Sequence, residues 1–250
     1  MFWNSALYDS KHDFVAEYGK GLLEFIPNDK SQRILDLGCG TGTLTSKLTG
    51  LCHTVLGVDS SKEMIDKAQN HFPELDFQVC DALSLPFVEE WDVVFSNAVF
   101  HWINDHHTLL HNINCALKPG CLLVCEFGAH GNISTIENAF ARAAGEAGYP
   151  YQPKFNFQSA EAFGSILREE GFVIDKLYDF DRPTALKDGE GGLENWMRQF
   201  FASELAAMPQ NMQMAVIKKV EEIVKDTLWN GREWTADYRR LRAVAKKCKK

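Results

Sequence analysis

Three glycines fall within five positions at Gly38, Gly40 and Gly42, directly after the apolar run Ile34-Leu35-Asp36-Leu37. Few geometries accept that series. The run has strand length, the glycines admit backbone that other residues avoid and allow a ligand to approach without Cβ obstruction, and an apolar pattern of helical period begins at Thr43. A strand, a tight loop and a helix are therefore predicted in direct succession. The loop would present unpaired N–H groups at a helix N-terminus, a setting that favours a carboxylate or phosphate. A nucleotide-type ligand is expected there.

The same unit recurs along the chain. Strands are predicted at Arg33 to Leu37, Thr54 to Val58, Phe77 to Cys80, Asp92 to Ser96, Leu122 to Phe127, Phe172 to Leu177 and Tyr238 to Ala245. Segments of helical period lie between them. Ser60-x-x-Glu63 reads as a capping box ahead of a face formed by Met64, Ile65, Ala68 and Phe72. Leu109, Leu110, Ile113, Ala116 and Leu117 form another face, closed by a turn at Pro119-Gly120. Phe140 to Ala147 and Ala160 to Glu170 also read as helices. Later, Leu193 to Leu205 and Val216 to Leu228 read as two helices joined by Pro209. Buried strands alternating with helices require a mostly parallel sheet covered on both faces, so the fold class is α/β, doubly wound. The 250 residues fit one domain, with an N-terminal helical cover over 1–30, a ligand-binding core over 31–130 and a helical insertion over 187–232 acting as a lid or interaction surface.

Charge narrows the partners. Lys plus Arg number 26 and Asp plus Glu 34, a formal net charge of −8, which weighs against nonspecific binding to nucleic acid or an anionic membrane. The dense basic run at Lys246, Lys247, Lys249 and Lys250 is expected to be a solvated tail. Seven cysteines without a paired C-x-x-C arrangement read as free thiols in a reducing, cytoplasmic compartment, and no apolar run has the length of a membrane span. No set of His or Cys residues has metal-ligand spacing, so no metal is expected.

A dinucleotide fingerprint would need glycine at position 43, which is threonine. Asp59 closes the second predicted strand, 21 residues after Gly38, where an adjacent parallel strand brings a carboxylate to ribose hydroxyls. Asp81 closes the third and can accept from an adenine amino group while Ala82 donates from its backbone. Three strand ends thus converge on one nucleoside.

These residues resemble a known family. Asp-Leu-Gly-Cys-Gly-Thr-Gly at 36–42, Gly-Val-Asp at 57–59, Asp81, the segment Phe95-Ser96-Asn97-Ala98-Val99-Phe100-His101-Trp102 and Leu117-Lys118-Pro119-Gly120 resemble the successive motifs of class I S-adenosylmethionine-dependent methyltransferases. The resemblance covers about residues 30 to 130. His101-Trp102 after the fourth strand is similar to trans-aconitate methyltransferases and to the malonyl-carrier methyltransferases of biotin synthesis. It implies a sheet ordered 3-2-1-4-5-7-6 with the last strand antiparallel. It further implies S-adenosyl-L-methionine held by Asp36 near the amino group, by the Gly38-Cys39-Gly40 loop, by Asp59 on the ribose, by Ser60 and Met64 beside the adenine, by Asp81 and Ala82 at its edge, and by Asn97 below the methionyl group. Tyr8, His12, Phe14 and Tyr18 would cover cofactor and substrate.

The chemistry implied is methyl transfer to a small molecule by in-line displacement, for which alignment and exclusion of water supply most of the rate. No catalytic dyad is evident. His101 and His12 are the candidates for a base if the acceptor carries a proton that must leave. Two other readings stay open, a nucleotide-dependent oxidoreductase and a cofactor-binding interaction protein without turnover. So do plainer roles for single residues: helix capping for Asp59, a turn for Asp81, a hydrogen-bonded buried acid for Asp36, and packing for Trp102, Glu126, Trp196 and Arg239. His106, His107 and His111 are expected to face solvent.

Overall fold

The structure, a computed structural model, describes Gly19 and residues 21–249. The expected N-terminal cover with Tyr8, His12, Phe14 and Tyr18 lies outside the described residues.

Seven strands form one sheet: β1 (Arg33–Leu37), β2 (Thr54–Asp59), β3 (Asp76–Val79), β4 (Trp91–Asn97), β5 (Leu117–Gly128), β6 (Phe172–Asp181) and, after two short strands β7 (Thr184–Ala185) and β8 (Thr235–Ala236), β9 (Arg239–Lys247). Their order is β3-β2-β1-β4-β5-β9-β6. β1 pairs in parallel with both β2 and β4, and β5 pairs antiparallel with β9. The order and the antiparallel last strand are those the motif series implied.

Side chains alternate across the sheet, so neighbouring residues serve opposite layers. Leu35, Leu37, Val94 and Leu123 pack with Leu109, Leu110 and Ile113 from the helix His106–Ala116 and with Phe163 and Leu167 from the helix Ala160–Glu169. Ile34, Val93, Phe95 and Val124 point the other way, onto Leu22, Leu44 and Leu48. Both faces are covered, which is why these strands read as unbroken apolar runs rather than as alternating ones.

Two compact units divide the chain. The sheet with its flanking helices makes up most of one, which includes the described part of Asp13–His130, Phe155–Asp179 and the strand residues from Arg240 onward. The other joins Gly131–Lys154 to Phe180–Arg239. In it the helix Ser134–Glu146 packs on the long helix Gln210–Leu228, and β7 pairs with β8. Phe140 stacks on Phe201 at 4.3 Å between ring centroids, and Trp196 donates from Nε1 to the Tyr238 hydroxyl at 2.8 Å.

Several local expectations are corrected. The apolar series Leu193 to Leu205 is two helices, Gly192–Phe200 and Ala202–Ala206, broken at Phe201, whose ring is fully buried between Phe140 and Trp196. Pro119-Gly120 is a bulge inside β5 rather than a turn before it. Trp91 pairs with Leu117 and Val93 with Leu122, so the residues between are looped out, with Gly120 at φ 78°. Proline has no ladder donor to lose at such a position. The run Lys246–Lys250 is not a solvated tail through its first members. β9 continues to Lys247, which is 8% exposed because its ammonium donates to the Leu117 carbonyl at 2.8 Å and pairs with Glu89 at 3.2 Å.

Candidate functional site

The glycine loop leaves the carboxyl end of β1 and is tied back to β2, since the N–H groups of Gly38 and Cys39 both donate to the Val58 carbonyl, at 2.7 and 3.0 Å. Gly38, Gly40 and Gly42 have φ of 77°, 55° and 84°, a region other residues seldom enter. Their surroundings differ. A Cβ on Gly38 would lie 2.1 Å from Val99 Cγ2, and one on Gly42 would lie 2.7 Å from the Phe77 ring. A Cβ on Gly40 would meet nothing within 4 Å among the described residues. Gly38 and Gly42 are thus glycine because protein presses on them, whereas Gly40 is open on the side of its missing Cβ among the described residues.

Asp59, at the end of β2, binds that loop. Its Oδ2 accepts from Gly40 N–H at 3.1 Å and its Oδ1 from Ser61 N–H at 2.8 Å. Each oxygen retains a lone pair for a ligand hydroxyl. Burial pushes its carboxyl above the usual range, against those two hydrogen bonds. The second bond also corrects the capping box. Drawn in by Asp59, Ser61 rather than Ser60 caps the helix Lys62–His71, its hydroxyl accepting from Met64 N–H at 3.3 Å. Ser60 is left exposed, and Met64 is 5% exposed.

Asp36, on β1, is 2% exposed, and its Oδ2 accepts from the Thr45 hydroxyl at 2.6 Å. Burial first, and the nearby Asp59 second, push it up to about 7, with the Thr45 hydrogen bond opposing them. Cys39, 9% exposed in the loop, has its thiol pushed up by burial and by both acids. Among the described residues neither Asp36 nor Asp59 has an ion-pair partner. Two buried acids beside an open glycine cradle suit a ligand that brings positive charge and vicinal hydroxyls.

Asp81 lies at the surface two residues beyond β3 and caps the short 3-10 turn Ala82–Ser84 by accepting from Leu83 N–H at 2.9 Å. Ala82 is buried. Asn97 ends β4, followed by Ala98 at φ 63°, a strained value for alanine of the kind that gathers at functional sites. All these strand ends lie on the carboxyl edge of the parallel strands, where open α/β sheets take their ligands.

His101 is 7% exposed, and Gly128 N–H donates to its Nδ1 at 3.3 Å. In that arrangement Nε2 carries the proton, so the ring acts as a donor rather than as a base. Burial, Arg240 and His106 hold it neutral, well below the usual imidazole range. Trp102, Phe157 and Phe155 surround it at 5.3, 5.8 and 6.3 Å between centroids. The Phe155–Phe157 strip is fastened by Asn156, which donates from its backbone to His101 O at 2.8 Å and from Nδ2 to the carbonyls of Ile103 and Asn104 at 3.1 Å. Sequence reasoning missed this strip, because only its bonds to a segment some 50 residues away in sequence give it a place.

Other expectations resolve differently. His106 does not face solvent. It is 2% exposed, and its Nε2 donates to Phe100 O at 2.9 Å. His107 and His111 are exposed and pair with Glu170. Trp196 is buried and bonded to Tyr238, Arg239 pairs with Asp181 at 2.7 Å, and Glu126, 1% exposed, accepts from Arg242 Nε and Nη2 at 2.9 and 2.5 Å.

Residues 35–125 match the family model described as a methyltransferase domain. An uncharacterized methyltransferase of Schizosaccharomyces pombe is 29% identical over 98% of this chain and 98% of its own. A trans-aconitate 2-methyltransferase of Variovorax paradoxus is 33% identical over 50% of this chain, a match spanning about half (49%) of that relative's length. The solved structure of the YcgJ protein from Bacillus subtilis has a TM-score of 0.65, 16% identity and coverage of 94% of this chain and 99% of that one, a likeness of fold. The chain thus carries a methyltransferase domain over residues 35–125, set in the sheet order and fold of class I S-adenosylmethionine-dependent methyltransferases.

Proposed function

We propose that the chain transfers a methyl group from S-adenosylmethionine to a small-molecule acceptor by direct in-line displacement. The observation that carries the cofactor placement is the open side of Gly40, flanked by Asp36 and Asp59. Asp36 faces the ammonium group, Asp59 holds the ribose hydroxyls while fixing the loop through Gly40, and Gly38 and Cys39 line the methionyl and ribose part. Ser60, Met64, Asp81 and Ala82 bound the adenine, and Asn97 lies below the methionyl group. When bound, the cofactor supplies an activated methyl on a sulfonium leaving group. The protein's own task is to align the acceptor and exclude water, which can lower the barrier by roughly 7–11 kcal/mol.

For the acceptor side, the His101 ring with its aromatic neighbours offers an apolar wall carrying one N–H donor. That chemistry suits an acceptor oxygen that needs no proton removed, such as a carboxylate. The net charge of −8 disfavours a nucleic-acid acceptor, and the similarity to the Variovorax paradoxus trans-aconitate 2-methyltransferase supports a small one. Among the described residues no helix is long and apolar enough to cross a membrane. Seven free cysteines favour a reducing, cytoplasmic compartment.

Methyl transfer from labelled S-adenosylmethionine over a panel of carboxylate, amine and hydroxyl metabolites tests the acceptor class. Turnover confined to macromolecules would overturn it. Asp59→Ala is expected to weaken S-adenosylhomocysteine binding by roughly ten- to a hundredfold in calorimetry, the loss of one or two charge-assisted hydrogen bonds. Thermal stability should also fall, since the N–H groups of Gly40 and Ser61 lose their acceptor. Unchanged affinity in a folded variant removes the ribose assignment.

A further inference from the structure

Asp36 is a buried acid, and among the described residues none of its partners is a cation. From the helix Thr43–Leu48 the hydroxyl of Thr45, itself 0% exposed, donates to Oδ2 at 2.6 Å. Asp59 on β2 adds negative charge. The register partners of Asp36 are Gly57 on β2 and Phe95 on β4, neither of which ionises. In the loop the Cys39 thiol lies close enough to be raised by Asp36 and stays protonated.

Thr45 gives up its hydroxyl inside the core to one carboxylate oxygen. An alanine or valine there would pack without leaving a polar atom to satisfy, so the hydroxyl serves Asp36. We propose that Thr45 is a positioning residue for the cofactor's ammonium group, its hydroxyl aiming and ionising Asp36, so that cofactor binding at mildly acid pH is coupled to loss of a proton from Asp36. This rests on the cofactor placement proposed above.

Burial of Asp36 beside a second acid sets the sign of the linkage. The carboxyl, at about 7 in the free protein against 3.8 as the ordinary value, stays protonated until nearly neutral pH. A ligand that sets an ammonium group beside the carboxyl prefers the ionised form, so affinity rises as pH rises through about 7 and levels off above it. Folding shows the opposite slope. Between about pH 4 and 7 the unfolded chain has released a proton that the folded ligand-free protein keeps, so stability falls as pH rises across that window.

Calorimetry of the full chain with S-adenosylhomocysteine and with 5′-methylthioadenosine, which lacks the amino-acid part, tests this between pH 6 and 8. The homocysteine compound should bind about tenfold more weakly at pH 6 than at pH 8, as a single titration near 7 requires, and the truncated nucleoside should change little. Thr45→Val should move that step up by roughly one pH unit, the worth of one hydrogen bond to a charged group. Thr45→Ser should restore it, and Asp36→Asn should abolish it. A Thr45→Val protein that titrates like the wild type, or equal pH dependence for both ligands, overturns the coupling. If S-adenosylhomocysteine binds at no pH, the cofactor placement itself fails, and the coupling with it.

Discussion

Gly40→Val is expected to leave a folded protein that no longer binds S-adenosylhomocysteine, with affinity down by roughly a hundredfold or more, whereas Gly38→Ala is expected to damage the fold itself. Both residues are left-handed, at φ 55° and 77°, so each variant carries a backbone cost of about 1–2 kcal/mol. What separates them is the direction in which the missing Cβ points. At Gly38 it points at Val99, 2.1 Å from Cγ2 and 2.9 Å from Cγ1, and overpacking of that kind adds about 1–3 kcal/mol. At Gly40 it points where no atom of the described residues lies within 4 Å, so under the proposed placement a side chain there competes with the cofactor. Urea unfolding and calorimetry on the two variants read these effects separately. A Gly40→Val protein that binds normally would show that the open side of the loop is not where the cofactor lies.

Glu126→Ala is expected to cost about 3–5 kcal/mol of folding stability, the usual penalty for stranding one member of a buried ion pair. Glu126 on β5 stands in register opposite Arg242 on β9, and their side chains are 1% and 12% exposed. Both Arg242 Nε and Nη2 donate to Glu126 Oε2, and the guanidinium lies 5.2 Å from the centre of the Phe25 ring. Removing the carboxylate takes hydrogen bonds of 2.9 and 2.5 Å from a guanidinium that keeps a 3.4 Å contact to the Tyr178 hydroxyl, so most of the offset to its desolvation is lost. At roughly 2–4 °C per kcal/mol for a chain of this size, the midpoint should fall by about 6–20 °C. Glu126→Met combined with Arg242→Met should recover most of that loss, because the apolar pair removes both charges together. A single variant that melts with the wild type would mean that the pair contributes nothing net. S-adenosylhomocysteine binding should survive in folded protein, which separates this pair from the cofactor loop.

The parts of the site that were legible in the sequence are those whose cause is local. Three glycines after an apolar run demand left-handed backbone wherever they occur, and a carboxylate at the end of the next strand is placed by the geometry of parallel neighbours, so Gly38, Gly40 and Asp59 could be singled out from order and spacing. The sheet was legible for a similar reason. Strands covered on both faces must be apolar throughout, and seven strand-length segments separated by helical breaks admit few arrangements. Boundaries were less legible. The Ser60–Glu63 pattern satisfies a capping box by composition, yet the cap moves to Ser61 because Asp59, a ligand-side residue, also captures Ser61 N–H.

By itself the sequence determined the order of elements, the glycine loop and the acids at the strand ends, because backbone sterics and side-chain periodicity act between near neighbours. Only the tertiary structure decided that Thr45 is spent on Asp36, that His106 is buried on Phe100, that Phe155 and Phe157 close on His101, and that Glu126 is held by Arg242. Each of those contacts joins residues on different elements or replaces water around a buried polar group. Their energies come from desolvation and pairing, which exist only once the chain has packed.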